Sequence, residues 1–291
     1  MDDVPYSFCK EVVATSRVYL WQVETEFSNP WAEAASFCRH HMTGLGVGLE
    51  LVNDEIHYDI SAMPNNRKSL TLQQLSELDP RNLALAELRI GFSFSNGQTM
   101  STQTYTDGFL SLMRRLMTTS TNVAIFKPNQ FLDLFSEGTP ARQIRFFIHT
   151  EDMEATVREV LGSVGDGIHL SLHSRDLTLT DEFLSFVSGN LFTGKLSYLH
   201  LNGDKNNGID LNLAKRFIDY VVSEEHEKPL RLFGSLLFEM KELEAFLEEK
   251  DIEREKHRRR TTYVIPKTGL KLAVYASACE NKNIVTLETY Q

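Results

Sequence analysis

"LSYLHLNG", residues 196–203, decides how this chain is read. Leu196, Leu199 and Leu201 occupy the L-x-x-L-x-L positions of a leucine-rich-type repeat, in which a short strand packs one row of leucines inward. Related runs of period two recur on both sides: "LRIGFSFS" (88–95), "NVAIFK" (122–127), "QIRFFIHT" (143–150), "GIHLSLHS" (167–174) and "PLRLFGSL" (229–236). In "IRFFIH" the residues Ile144, Phe146 and Ile148 share a face; in "IHLSLH" Ile168, Leu170 and Leu172 do the same. Between these runs lie stretches of helical period: "DGFLSLMRRLMTT" (107–119), "MEATVREVLGSV" (153–164), "TDEFLSFVSGNLF" (180–192) and "DLNLAKRFIDYVVSEE" (210–225). Aspartate or threonine opens several of them, as an N-cap should, because its side-chain oxygen accepts from a free backbone N–H of the first turn.

Strand alternating with helix predicts a parallel sheet with crossover helices. The strands start at uneven intervals of roughly 20 to 35 residues, in or near the range of leucine-rich-type repeats. A doubly wound nucleotide-binding sheet would alternate in the same way, so chemistry has to separate the two. "GVGLELVNDEIHYDIS" (46–61) reads as a hairpin turning on Asn53-Asp54. "MKELEAFLEEKDIEREKHRRR" (240–260) reads as one charged helix, "GLKLAVYAS" (269–277) and "NIVTLETY" (283–290) as strands, and "GDKNNG" (203–208) as a surface turn.

No stretch carries the chemistry of a nucleotide fold. "GLGVG" (44–48) lacks the G-x-G-x-x-G spacing and precedes a strand. "GSVGDG" (162–167) lies on the helix-to-strand side, where it fits a helix end and a turn. Walker, G-x-S-x-G, H-E-x-x-H and kinase signatures are all missing. Three widely spaced cysteines form no C-x-x-C pair, so Cys9 and Cys38 read as buried thiols in a reducing compartment. There is no N-x-S/T sequon, no secretory-type apolar run and no membrane-length apolar stretch. A net charge of −10 argues against broad phosphate-backbone binding. These features point to a soluble cytoplasmic or nuclear protein that is not an enzyme and carries neither metal nor cofactor.

His149 and His173 fall at equivalent places in consecutive strand runs, with His169 and His200 on nearby outward positions. In a parallel stack the first two would stand about 5 Å apart. A polar ladder is the commoner result; a metal site is the sharper one, with Asp152 and Asp176 each trailing a histidine by three residues. The basic run "KHRRR" (256–260) reads as positive charge closing a helix C-terminus.

At the other end, "MDDVPYSFCKEVV" (1–13) places a proline before a short amphipathic helix, and "FSNPWAEAA" (27–35) supplies a late tryptophan, Trp31. The segment from Val4 to Trp31 resembles an F-box, with Val-Pro where that family has Leu-Pro. It looks closer still to the divergent F-box-like families expanded in nematodes, in which a reduced F-box precedes a degenerate leucine-rich or F-box-associated region. The middle departs from the family: "LWQVETEF" (20–27) puts Glu24 and Glu26 where apolar contacts are expected. The resemblance implies an adaptor-binding face of Val4, Pro5, Phe8, Val12 and Val13, and docking on a Skp-type adaptor. The same residues could instead pack inward on Trp21, Trp31 and Phe37 as the cap a solenoid requires.

The expected architecture is therefore α/β: an F-box-like helical module over 1–43, then a leucine-rich-repeat-like open solenoid with a parallel sheet over 44–291. Its outward sheet face would carry Arg89, then Arg145, Phe147 and His149, then His169 and His173, then Tyr198 and His200, and last Arg231 and Phe233. Arginine and aromatic side chains dominate binding energy at protein interfaces, and the set is more basic than the chain, which points to an acidic protein target. The function this implies is target recognition for a cullin-RING ubiquitin ligase; the alternative is a non-catalytic scaffold whose F-box is only a cap. An α/β enzyme with a pocket at its strand ends is the third class.

Overall fold

The computed structural model describes Cys9 and residues 30–63, 66–94, 97–174, 177–203, 207–223 and 229–250, and the strands 253–257, 260–264, 271–279 and 282–290. The fold is mixed α/β, and the chain divides into two compact units, Met1–Ile144 with Ala155–Gly165, and Arg145–Glu154 with Asp166–Gln291.

In the first unit, helix α1 (Trp31–His41) leads into β1 (Thr43–Val52) and β2 (Glu55–Met63), an antiparallel hairpin in register from Gly44↔Met63 to Val52↔Glu55. The turn is where the sequence places it. Asn53 and Asp54 have φ of 49° and 64°, the left-handed values that a two-residue hairpin turn demands and that Asn and Asp tolerate best. The hairpin belongs to the sheet itself, since β1 pairs in parallel with β4 (Leu83–Ile90), and β4 in parallel with β6 (Asn122–Ile125). The short strands β3 (Asn66–Ser69) and β5 (Gln98–Met100) both pair with β2. Between them come α2 (Leu72–Glu77), opened by a Thr71–Gln74 capping box, and later α3 (Leu110–Leu116). Leu45, Leu49, Ile60, Leu85, Leu88, Ile90, Met113 and Ile125 are fully buried and form the core here.

Cys9 is buried with Ala34, Ala35 and Cys38, and Trp31, Phe37 and Met42 pack around them. Both cysteines are buried, as their apolar neighbourhood predicts, and they form no disulfide among the described residues. Val4, Pro5, Phe8, Val12, Val13 and Trp21 lie outside the described residues.

The division between the units passes within β7 (Gln143–Ile148) and α4 (Asp152–Ser163). In the second unit β8 (Ile168–Ser174), β9 (Leu196–Gly203) and β10 (Arg231–Ser235) are parallel neighbours in chain order, joined through α5 (Asp181–Phe192) and α6 (Leu211–Ser223). Consecutive right-handed crossovers between adjacent strands place both helices on the same side of a sheet. That side holds the core: Phe183, Val187 and Leu191 of α5, and Phe217, Ile218 and Val221 of α6, are buried with Leu170, Leu172, Leu199, Leu201 and Leu232. Two of the N-caps read from sequence are made, Thr180 accepting from the Phe183 N–H and Asp210 from the Leu213 N–H, whereas Asp107 lies inside a helical stretch that Ser101 caps.

One element differs from its sequence pattern. The 240–260 helix stops early, as α7 (Met240–Glu249), and the chain continues into β11 (Glu253–His257) and β12 (Arg260–Val264). Lys256, His257 and Arg260 of the basic run therefore lie on strands and not at a helix end. Thr261, Thr262 and Val264 are β-branched, and they find a partner in β13 (Lys271–Cys279), so pairing overrides the helical charge pattern. From β13 the sheet passes to β14 (Lys282–Tyr290) and then β10, every pair antiparallel. The parallel strands expected from the alternation are thus present in each unit, with antiparallel strands on one side of them, and among the described residues neither unit's strands close into a barrel.

Candidate partner-binding face

Alternation along β8, β9 and β10 sends leucine to the helix side and a second set of side chains to the opposite side. Register aligns that set in rows. His169 stands opposite Tyr198, Tyr198 opposite Arg231, and Arg231 opposite Glu288 on β14. Two residues on, Ser171, His200, Phe233 and Thr286 form the next row.

The rings touch along these rows and across them. Phe147 stacks on His173 with centroids 5.0 Å apart and planes 15° apart. His173 meets His200 at 5.5 Å, and His200 meets Phe233 edge-on at 4.5 Å. His169 contacts Tyr198 at 5.4 Å, and the Arg231 guanidinium sits 5.5 Å over the Tyr198 ring. Arg231 Nε also donates to Glu288 Oε2 at 3.0 Å. Asn202 Nδ2 lies 3.1 Å from His173 Nδ1; with the amide nitrogen donating, His173 carries its proton at Nε2.

His200 is the centre of the group. Its ring is half-buried, and Ser171 Oγ lies 2.8 Å from its Nδ1. Burial, reinforced by His173, Arg145 and Arg231, lowers its pKa to about 4, so the imidazole is neutral at pH 7. Burial likewise raises the Tyr198 phenol, with Arg231 opposing. A stability consequence follows with a definite sign. The unfolded chain protonates His200 near 6.5 and the folded chain near 4, so the unfolded state binds more protons in that window and stability falls as pH drops through it. His200→Phe is expected to remove about 2 kcal/mol of the stability the wild type loses between pH 7 and pH 5. Urea unfolding of both proteins at the two pH values checks this; an equal loss in both would contradict it.

The structure brings Phe147, His173, His200, Phe233, Tyr198, His169 and Arg231 into contact in the second unit, with Arg145 exposed on β7. His149 lies one residue beyond β7 and is exposed, and it is the Phe147 ring that stacks on His173. In place of the expected His149–His173 ladder, Phe147 supplies the ring against His173. Arg89 belongs to the first unit, exposed on β4, with its Nη2 2.7 Å from Glu87 Oε2 and its guanidinium 5.8 Å from the Phe92 ring centroid. Among the described residues no three His, Cys, Asp or Glu side chains gather as a metal-binding group. Nor is any described helix long and apolar enough to cross a membrane.

One polar group escaped sequence reasoning. At the carboxyl ends of the first unit's parallel strands, Glu50 is buried with Lys127 Nζ 2.6 Å and Ser93 Oγ 2.8 Å from its Oε1. Burial alone would raise this carboxyl's pKa, but the hydrogen bonds from Lys127 and Ser93 and the nearby positive charge hold it below the usual range. Gly91 makes the approach possible: its φ is 73°, and a Cβ there would lie 2.6 Å from the Lys127 Cβ. The single hint in sequence is Glu50 itself, an acid inside an otherwise apolar strand.

Compared with known proteins, the chain matches no family model, no curated protein and no solved structure.

Proposed function

We propose that the chain is the substrate-recognition subunit of a cullin-RING ubiquitin ligase, holding a target protein on the open face of its second unit. The observation that carries the target-binding half is the contiguous patch of Phe147, His173, His200, Phe233, Tyr198 and Arg231 on the side of the parallel strands away from the core. Solvated sheet faces are commonly mixed and polar; one built from touching aromatic rings and arginines has the composition of an interface centre. No residue need perform chemistry, since holding a target beside a conjugating enzyme raises the effective concentration of its lysines. The adaptor-binding half rests on the F-box resemblance of Val4–Trp31. The solenoid reading of the strand–helix units belongs to the same proposal.

A second reading has its own support. Cys9 is buried against Ala34, Ala35 and Cys38 of the following helix, as in a terminal cap that packs inward. The chain would then be an interaction scaffold that recruits no ligase. A pull-down with purified Skp-type adaptor separates the two, comparing wild type with a Pro5→Ala, Phe8→Ala, Val12→Ala variant. Binding by the wild type and loss in a variant that stays folded supports the ligase subunit. Failure of the wild type to bind leaves the scaffold.

A further inference from the structure

We propose that the first unit carries a small-molecule site at the carboxyl ends of β1, β4 and β6, and that its ligand is a neutral planar ring bearing a primary carboxamide or a lactam. The ring patch of β8 to β10 belongs to the second unit, so this site stands or falls independently of the target-binding reading.

The polar half of the site is the Glu50–Lys127 pair. Lys127 Nζ and Ser93 Oγ both donate to one carboxylate oxygen, Oε1. His57 stands opposite Glu50 in the hairpin register without hydrogen-bonding to it, and Oε2 accepts from no described residue. A buried carboxylate oxygen without a donor is costly, so this one calls for a ligand N–H. The ammonium, with its side chain 42% exposed, uses one of three N–H donors on Glu50 and has two to offer.

The apolar half lies on the same side of the sheet. Gly48 and Glu50 are two apart on β1 and share a side. A Cβ on Gly48 would lie 2.0 Å from the Phe94 ring, so that ring rests on the glycine. Phe92 meets Phe94 at 5.6 Å and Phe126 at 5.0 Å between centroids, which adds two more rings beside the pair. Phe92 is 39% exposed and directly precedes Ser93 in the chain, so an apolar body covering it has the polar group within reach.

The loop after β6 is held in a costly backbone. Asn129 and Phe131 are left-handed, at φ of 56° and 53°, an outlier for a side chain as bulky as phenylalanine. Thr156 Oγ1 accepts from the Asn129 N–H at 3.2 Å, and Gln130 Oε1 accepts from the Leu51 N–H at 3.2 Å. Strained backbone that its surroundings over-determine is characteristic of ligand-holding loops. Here it fixes the segment that carries Lys127.

The ligand class follows from what is left to bond. The two charges cancel, so an anion would meet Glu50 and a cation Lys127, and a neutral group is favoured. That group must present a donor to Glu50 Oε2 and an acceptor to the ammonium on one edge. An ordinary trans peptide bond turns its N–H and C=O to opposite sides, which disfavours a polypeptide backbone. A primary carboxamide or a lactam has both on the same side, and a planar ring attached to it supplies apolar surface for Phe92. A net charge of −10 makes the occupant a free small molecule and not a strand of nucleic acid.

The test is ligand-observed NMR titration of the full chain with benzamide, benzoate and N-methylbenzamide. The last keeps the carbonyl and an N–H but, being trans, points them apart. Benzamide is expected to bind with a Kd of about 1 mM, and at least about tenfold more tightly than either analogue. Phe92→Ala, at an exposed position, is expected to weaken benzamide at least about fivefold. Phe233→Ala, in the second unit's ring patch, is expected to leave it unchanged. Absence of benzamide binding well above that concentration would overturn the proposal, as would equal affinity for N-methylbenzamide. So would binding that survives Phe92→Ala intact or is lost in Phe233→Ala.

Discussion

Replacing Lys127 with methionine is expected to cost about 3 kcal/mol of stability at pH 7, and much less at pH 4. The Glu50 side chain is 7% exposed and the Lys127 side chain 42%. Removing the lysine strands a buried carboxylate whose remaining side-chain partner at 2.8 Å is the Ser93 hydroxyl. A buried ion that loses its counter-charge is far more costly than a pair that was never there. The pH dependence identifies the cause. The folded-state pKa of Glu50 is lowered, so its contribution is present above the unfolded value and disappears as pH falls through the folded one. Protonation at low pH removes the charge that the variant leaves unpaired, so variant and wild type converge. Glu50→Gln in the Lys127→Met background is expected to recover most of the loss. Urea unfolding at both pH values tests this, and a cost below about 1 kcal/mol at pH 7 would refute it.

Phe217→Ala is the second large effect, expected to cost about 3–5 kcal/mol. Phe217 is completely buried on α6, as are Ile218 and Val221 of its own helix, Phe183 and Val187 of α5, and Leu199 and Leu201 of β9. Truncation removes a ring from water-excluded packing and leaves a cavity that interlocked neighbours close only partly. A domain stable by some 5–15 kcal/mol loses a large share of its margin. A loss below 1 kcal/mol, measured by thermal or urea unfolding, would show that the helix side of the sheet is not packed as described.

Much of this was legible because strand alternation is local. Leu199 and Leu201 predict one face, and once they point to the helices, Tyr198 and His200 must point away. The hairpin at Asn53-Asp54 was legible for the same reason, since two adjacent residues that accept left-handed backbone stand between two alternating runs. The illegible parts depend on distance or competition. Glu50, Ser93 and Lys127 are 43 and 77 positions apart, and their meeting depends on which strands become neighbours. The charged run read as a helix over 240–260 instead enters β11 and β12, and β12 pairs with β13, itself paired with β14 at the far end of the chain. Counting from the strand starts puts His149 beside His173, whereas it is the Phe147 ring that stacks there. The adaptor-binding residues Val4, Pro5, Phe8, Val12 and Val13 rest on sequence alone.

The central claim, that the open face of the second unit is where a target sits, is tested most directly by site-specific photocrosslinking in expressing cells. A benzophenone amino acid replaces Phe233 in one protein and Lys241, exposed on α7, in another. The account predicts a discrete protein adduct from position 233, none from 241, and loss of the first when Arg145 is also changed to Glu. Adducts from 241 alone, or an adduct at 233 indifferent to Arg145, would contradict it.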